Sequence, residues 1–139
     1  SFSFQEFSQR YANPKEMGDM FEYAEARLQD TKNRQNSIPT ENVQLIHEWT
    51  DVQDEVIAAT KKAYEWAIEN GIAKEQARKV LPEGLTKTRL YMNGTIRSWI
   101  HYIDLRGANG TQLEHMQIAH ACADAIAKIF PNINNYTAE

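Results

Sequence analysis

Residues 39–71 read PTENVQLIHEWTDVQDEVIAATKKAYEWAIENG, and this stretch decides the fold class. Its apolar side chains recur at alternating spacings of four and three, which places them on one face of a long helix. The stripe consists of Leu45, Trp49, Val52, Val56, Ala59, Ala63 and Trp66. Thr40 is a candidate N-cap, and Gly71 is predicted to end the helix as its C′ residue. The stripe favours packing in a core or against another subunit over a role in holding a cofactor.

Weaker patterns on both sides of this helix predict a mixed chain. Residues 1–11 alternate at first and then become polar, as a strand running into a loop does, and residues 21–24 predict another short strand. The polar stretch 28–37 is predicted to be a loop. The remaining predictions are a short helix at 74–80, a strand at 86–95, and helices at 96–105 and 111–130. The fold class is therefore α+β, mostly helical, with a few strands that form part of an antiparallel sheet flanked by helices.

Length and composition exclude several classes of protein. The chain has 139 residues, of which 42% are hydrophobic and 24% are charged, as is typical of a globular domain. Because it contains no repeat or linker, residues 1–139 are expected to form a single domain. One cysteine excludes a disulfide framework and fits a reducing cytoplasm. With no apolar run near the roughly 18 residues of a membrane span, and with a net charge of −4, neither membrane nor nucleic acid is an expected partner.

Positive charge is concentrated in one segment of this acidic chain. Residues 72–106 carry a net charge of +4, and the rest of the chain carries −8. A basic segment of this kind can focus electrostatic potential on an anionic ligand. Lysines and arginines on solvated helix faces would produce the same count, so both interpretations stay open.

Two sets of polar residues are suited to a phosphorylated ligand. Glu6, Ser8 and Arg10 alternate, so in an extended backbone their side chains point the same way. The polar face of an edge strand is the alternative.

The second set lies on the helix predicted at 96–105. Arg97 and His101 are one helical turn apart, and Arg106 lies where that helix ends. Three such donors can hold a phosphate or a heteroaromatic ring, although local ion pairs explain the arginines almost as well.

Other reactive residue types lack the spacing that their chemistry needs. Cys122 lies among alanines and isoleucines on a predicted helix, which favours a buried, inert thiol. His115 and His120 are five residues apart and do not share a helical face, so a zinc site is not expected. The chain contains neither a Gly-x-Gly-x-x-Gly turn nor a P-loop.

Several segments together resemble the flavin-dependent thymidylate synthases. The hallmark of that family is Arg-His-Arg, two variable residues, Ser, any residue, Asn-Glu, any residue, Ser, any residue and Arg-Tyr. Residues 3–11, SFQEFSQRY, match its second part, with Gln5 where Asn is common. The similarity continues in ARKVLP at 77–82, RSWIHYIDLR at 97–106, Gln112, Glu114 and residues 130–131. It covers essentially the whole chain in the family's order.

The resemblance implies reductive methylation of deoxyuridine monophosphate (dUMP) to thymidylate (dTMP). Methylenetetrahydrofolate would supply the carbon, reduced FAD the hydride, and NADPH would re-reduce the flavin. It also implies a homotetramer in which neighbouring subunits share sites. A location in the cytoplasm fits this chemistry.

The resemblance further assigns roles by position. The residues implied to line the dUMP site are Glu6, Ser8, Arg10, Arg78 and Arg106. The residues implied to contact FAD are Glu6, Thr95, Arg97 and His101, with Thr95 standing where the family often has Asn. Arg106 is the implied catalytic residue, because a guanidinium beside the pyrimidine favours ionisation at N3. No metal is implied.

The match also predicts that the chain is the C-terminal portion of such an enzyme. It opens at Ser1, where Arg-His-Arg is expected to precede, as in a truncated, split or intein-interrupted gene. Activity is then expected to need the N-terminal part. The alternatives are a non-catalytic nucleotide-binding or assembly module derived from that family, and a plain helical scaffold.

Overall fold

The computed structural model describes residues 1–6, 20–108 and 110–135. Its strands are β1 (Phe2–Glu6), β2 (Arg27–Gln29), β3 (Ser37–Pro39) and β4 (Leu90–Gly94). Its helices are α1 (Val43–Glu69), α2 (Lys74–Ala77), α3 (Ile96–Arg106) and α4 (Leu113–Ala127), with 3₁₀ turns at Arg78–Val80 and Pro131–Asn135. Strand β1 pairs with β4, and β2 pairs with β3. This combination confirms the predicted α+β class.

The chain divides into two compact units. The first comprises Ser1–Phe4, Arg27–Pro39 and Met92–Glu139, and the second comprises Gln5–Ala26 and Thr40–Tyr91. The single domain expected for residues 1–139 stays a prediction. In the described parts of the two units, no helix is both long and apolar enough to cross a membrane. The same residues contain no group of three or more His, Cys, Asp and Glu side chains placed to hold a metal ion.

Helix α1 is the main element of the second unit, and a polar N-cap and a glycine set its two ends. Asn42 is the N-cap rather than Thr40, because its side-chain oxygen accepts a hydrogen bond from the Leu45 amide at 3.1 Å. Thr40 lies one step earlier, where its hydroxyl accepts a hydrogen bond from the Asn42 amide at 3.2 Å. At the other end Gly71 has φ of +78°, the left-handed conformation that favours glycine after a helix. The prediction that Gly71 ends the helix is confirmed.

The apolar stripe of α1 does not face the core of its unit. Trp49, Val52, Val56 and Trp66 are 39%, 50%, 41% and 61% exposed. The buried positions of the helix are Gln53, Ile57, Thr60, Tyr64 and Ala67. The prediction that the stripe packs into a core is therefore wrong within this chain. Its packing against another subunit stays a prediction.

The buried face of α1 contains two polar side chains, and both are hydrogen bonded. The Gln53 amide accepts from the Ala24 N–H at 2.6 Å and donates to the Ala24 carbonyl at 3.1 Å. The Thr60 hydroxyl donates to the Val56 carbonyl at 2.8 Å. A search for apolar periodicity misses this face, because satisfied polar groups interrupt it.

These contacts also explain why residues 21–24 do not form the predicted strand. Phe21 makes only an isolated antiparallel bridge with Thr86, and the backbone of Ala24 pairs with a side chain instead of a strand. Phe21 then packs into the core of the second unit. That core consists of Phe21, Ile57, Tyr64, Ala67 and Ala77.

In the first unit, the predicted loop at 28–37 is instead a short hairpin. Strands β2 and β3 pair antiparallel, with Leu28 opposite Ile38. The connecting residues contain no glycine or proline, and the Asp30 carboxylate organises them. It accepts hydrogen bonds from the Lys32 amide at 2.8 Å and the Asn36 side chain at 3.0 Å, and these bonds lower the pKa of Asp30. Asx hydrogen bonds therefore supply the turn that glycine usually supplies.

Helices α3 and α4 form the rest of the first unit. Their shared core consists of Ile103, Ala123 and Ile133. An aromatic cluster lies along α3, where the ring of Phe2 meets Trp99 edge-on at 5.0 Å and Tyr102 at 6.1 Å between centroids. The helix at 96–105 is confirmed with one further residue, and the one predicted at 111–130 is shorter at both ends.

We predict that Gly107→Ala destabilises the first unit. A Cβ at this position would lie 2.6 Å from the Ile103 carbonyl oxygen and 3.1 Å from the His120 ring, so the end of α3 must shift. The expected loss is about 1–3 kcal/mol of unfolding free energy in a urea titration. Gly84→Ala is the matched control, because its Cβ would meet nothing within 4 Å. Equal stability of Gly107→Ala and Gly84→Ala would contradict the close contact of Gly107 with the Ile103 carbonyl and the His120 ring.

Candidate functional site

Helix α3 positions most of the residues that the sequence singled out in the first unit. Thr95 is its N-cap, and its hydroxyl accepts a hydrogen bond from the Ser98 amide at 3.2 Å. The next residues along the helix include Arg97 and His101, both exposed and one turn apart. A guanidinium and an imidazole therefore lie side by side on an accessible face. The Thr95 hydroxyl caps the helix, and this role alone explains a threonine at this position.

Arg106 is the last residue of α3 and lies on a different face. It lies nine positions after Arg97, which at ~100° per residue places it roughly half a turn away around the helix. The helix thus brings Arg97 and His101 together but directs Arg106 away from them. One small ligand does not reach all three, whereas two ligands on opposite sides of the helix do.

Within the described part of the chain, the arginines of α3 are not held in surface ion pairs. Among residues 1–6, 20–108 and 110–135, the salt bridges are formed by Arg27 with Glu114 and by Lys87 with Glu22, and neither Arg97 nor Arg106 takes part in one. The alternative of local ion pairs is therefore not supported by the structure. Both guanidiniums are exposed and keep their full donor capacity for a ligand.

The end of α3 is held by a residue that the sequence reasoning missed. His120 Nε2, on α4, lies 2.9 Å from the carbonyl oxygen of Gly107, the residue after Arg106. The Gly107 amide in turn donates to the Ile103 carbonyl at 2.8 Å. These two hydrogen bonds fix the backbone on which Arg106 stands. His120 lies thirteen residues after Gly107 in the sequence, and no helical or strand periodicity connects the two positions.

Burial sets the acid–base properties of the groups behind Arg106. It raises the pKa of the Tyr102 hydroxyl, and the positive charge of Arg106 partly offsets that effect. Burial likewise raises the pKa of the Cys122 thiol, which is half-buried rather than fully buried. A raised pKa leaves little thiolate at neutral pH, so Cys122 has the character of an unreactive thiol.

The second unit holds the other described residues of interest, Glu6 and Arg78. Glu6 ends β1, and its carboxylate accepts a hydrogen bond from the Thr88 hydroxyl at 2.7 Å. Arg78 begins the 3₁₀ turn after α2, next to Ala77, which is 2% exposed in the core. That buried neighbour fixes the backbone of Arg78 while its own side chain stays half-buried. Ser8 and Arg10 lie outside the described residues.

Comparison with protein families gives a match over nearly the whole chain. The family described as "Thymidylate synthase complementing protein", Thy1, matches residues 1–132. A "Probable flavin-dependent thymidylate synthase" of Paramecium bursaria Chlorella virus 1 is 50% identical over 133 residues. A "Flavin-dependent thymidylate synthase" of Synechocystis sp. is 46% identical over the same length. In both cases the aligned residues are 96% of this chain and 60% of the relative, so the chain spans about 60% of their length.

Solved structures with a similar fold include the "UMP/dUMP methylase PolB" from Streptomyces cacaoi. In the form bound with 5-Br UMP it aligns with a TM-score of 0.73 and 25% identity, covering 91% of this chain and 59% of that one. In the form bound with 5-Br dUMP the TM-score is 0.72, at 23% identity, with 97% and 61% covered. The second likeness bears on the fold alone.

We predict that Cys122 reacts slowly with iodoacetamide in the folded protein. Because burial raises its pKa, the thiolate fraction at pH 8 is lower than in the unfolded chain, and access is reduced as well. The alkylation rate, followed by mass spectrometry, is expected to be at least severalfold lower than in urea. Equal alkylation rates with and without urea would show that folding neither limits access to the Cys122 thiol nor raises its pKa.

Proposed function

The chain belongs to the thymidylate synthase complementing protein family, and from that membership we propose that it acts in the reductive methylation of dUMP to dTMP. The observation that carries the proposal is 50% identity over 96% of the chain to a probable flavin-dependent thymidylate synthase. Because the chain spans 60% of that relative, we propose the activity for the complete protein. Methylenetetrahydrofolate is the proposed carbon donor, and NADPH the proposed reductant.

Arg106 is the proposed catalytic residue. Methylation at C5 of the uracil ring requires that carbon to become nucleophilic, so negative charge builds on the pyrimidine as N3 loses its proton. A fixed guanidinium beside the ring stabilises that charge, an effect of about 3 kcal/mol for a well-placed donor. The anchored end of α3 supports this role, because Gly107 is bonded both to Ile103 and to His120. Rigid placement matters here, since a donor that must reorganise loses most of its effect.

This route needs no thiol nucleophile, which agrees with the state of the only cysteine. Cys122 is half-buried, and burial raises its pKa. A covalent mechanism would require a thiolate in an exposed, electropositive setting. We therefore propose that activation of the pyrimidine is electrostatic.

The residues on the other side of α3 fit a flavin nucleotide in their chemistry. Arg97 and His101 are exposed, adjacent and free of salt bridges across the described ranges, so they can donate to the phosphates or ring heteroatoms of FAD. The hydroxyl of Thr95 already caps the helix, so its contact with FAD is the weakest of the set. When bound, FAD supplies the hydride that completes the methyl group. The protein supplies position and charge.

Arg78 and Glu6 are further proposed contacts to dUMP. Arg78 offers a guanidinium on a backbone anchored by the buried Ala77, which suits a phosphate. Glu6 keeps its carboxylate oriented through Thr88 and is proposed to contact both dUMP and FAD. Ser8 and Arg10 complete the proposed dUMP set from the sequence match alone.

We also propose a homotetramer in which subunits share sites. The exposed stripe of α1 supports it, because Trp49, Val52, Val56 and Trp66 present an apolar face to solvent in the isolated chain. A second copy is the natural cover for such a face. The proposed setting of this assembly is the cytoplasm.

We predict that Arg106→Ala in the complete protein lowers dTMP formation at least a hundredfold while FAD stays bound. The loss follows from removal of the proposed charge-stabilising donor, and FAD is retained because its proposed contacts lie on the opposite face of α3. Turnover is measured from product formed, and FAD from its visible absorbance. Arg89→Ala is the matched control, an exposed arginine without a proposed role. Turnover of Arg106→Ala equal to that of the control would remove Arg106 from the mechanism.

The complementary variant Arg97→Ala is expected to give the reverse pattern. Loss of a proposed phosphate or ring contact weakens FAD at least tenfold, a typical effect for a hydrogen bond to a charged group. Affinity is measured by titrating FAD into protein stripped of it, and dUMP binding is expected to stay close to wild type. Unchanged FAD affinity in Arg97→Ala would show that this face of α3 does not hold the flavin.

A further inference from the structure

We propose that His120 is a positioning residue for the reaction, because it ties the end of α3 to α4 and so sets where the guanidinium of Arg106 lies. The inference rests on the proposed function, in which Arg106 stabilises charge on the pyrimidine. His120 acts through Gly107, and all three residues belong to the first unit. It is not among the residues assigned above to dUMP or FAD.

The hydrogen bond from His120 satisfies a carbonyl that the helix itself leaves unpaired. The last carbonyls of an α-helix have no partner within it. Gly107 is the C-cap of α3, and its φ of −79° is right-handed, so the left-handed cap usual for glycine is not formed at this end. His120 Nε2 lies 2.9 Å from the Gly107 oxygen. Since a carbonyl oxygen only accepts, Nε2 carries the hydrogen and donates it.

The ring of His120 also packs directly against Gly107. A Cβ at Gly107 would lie 3.1 and 3.2 Å from the Cδ2 and Nε2 atoms of that ring. The right-handed φ of Gly107 does not require a glycine, whereas this close approach, together with that of the Ile103 carbonyl, does. A hydrogen bond and a steric fit thus join the same two residues.

This contact reaches Arg106 through a single turn of backbone. Ile103, one turn before Gly107, packs with Ala123 of α4 in a shared core. The Gly107 amide donates to the Ile103 carbonyl at 2.8 Å, which keeps the turn helical but does not attach it to α4. His120 supplies that attachment, so the turn that carries Arg106 is held to α4 at both ends. Without His120 the last turn is free to fray, as helix ends do.

A small displacement of Arg106 matters because its proposed effect is electrostatic and depends on fixed geometry. A misplacement of about 1 Å can lower a rate by about a hundredfold, and loss of one of two attachments is expected to lower it by about tenfold. The charge on the pyrimidine develops during the reaction. The kcat for dTMP formation is therefore expected to fall by more than the KM for dUMP rises.

The test compares His120→Ala with His120→Gln in the complete protein. Position 120 is exposed and alanine is the best helix former, so His120→Ala is expected to fold while losing the donor. The amide nitrogen of a glutamine side chain can donate in place of Nε2. The kcat is expected to fall by about tenfold in His120→Ala and to be largely restored in His120→Gln. His47→Ala is the matched control, an exposed histidine on α1 without an assigned role.

Three results would overturn the positioning role. The first is a His120→Ala variant with the kcat of His47→Ala. The second is a loss of kcat that His120→Gln does not restore, because the hydrogen bond would then not be its cause. The third is loss of FAD from His120→Ala, read from the visible absorbance, because the effect would then extend to the whole of α3.

Arg106→Ala, measured alongside, keeps this inference distinguishable from the proposed function. Normal turnover in His120→Ala with an inactive Arg106→Ala would refute the positioning role and leave the proposed function standing. A complete wild-type protein that forms no dTMP would refute the proposed function, and the positioning role with it.

Discussion

The two capped ends of α3 are the constraint on which the functional account depends. At its start the Thr95 hydroxyl satisfies the Ser98 amide, and at its end Gly107 bonds to Ile103 and to His120. Between these points α3 packs against α4 through Ile103, which is 4% exposed. The faces that carry Arg97 and Arg106 are consequently fixed relative to each other. Without the caps, the backbone that carries each arginine would be less well placed, and the electrostatic effect of its guanidinium on a ligand would fall.

A fixed separation of the two faces has a chemical consequence. Reductive methylation of dUMP brings together a nucleotide that must be activated and a flavin that must deliver a hydride. A helix that presents Arg106 on one side and Arg97 with His101 on the other keeps two ligands apart, so the proposed sharing of sites between subunits is what brings the flavin to the nucleotide.

The sequence predicted the long helices and the family better than it predicted the packing. Gly71 and the C-terminal helices could be read from local signals, because a left-handed glycine and apolar periodicity depend on neighbours in the chain. The hairpin at 27–39 could not, because Asp30 and Asn36 replace the glycine that usually marks a turn. The buried face of α1 was missed for a similar reason, since Gln53 is buried only because Ala24 satisfies it.

In the candidate site, too, local features were predictable from the sequence and long-range contacts were not. Arg97, His101 and Arg106 were predicted from their types and spacing, but the split of these residues between two faces required the full helix to Arg106. His120 and Thr88 were not predicted, because each acts on a residue far away in the chain. Contacts of this kind arise from tertiary structure and produce no periodic pattern in the sequence.

The most direct measurement is a titration of dUMP into the purified, FAD-containing protein, followed through the visible absorbance of the flavin. Suppose that Arg106 contacts dUMP, that Arg97 and His101 contact FAD, and that shared sites between subunits bring the two ligands together. Added dUMP then perturbs the flavin band, and the change saturates. A flavin band that stays unchanged while dUMP binds would contradict the account. So would a colourless protein to which added FAD does not bind.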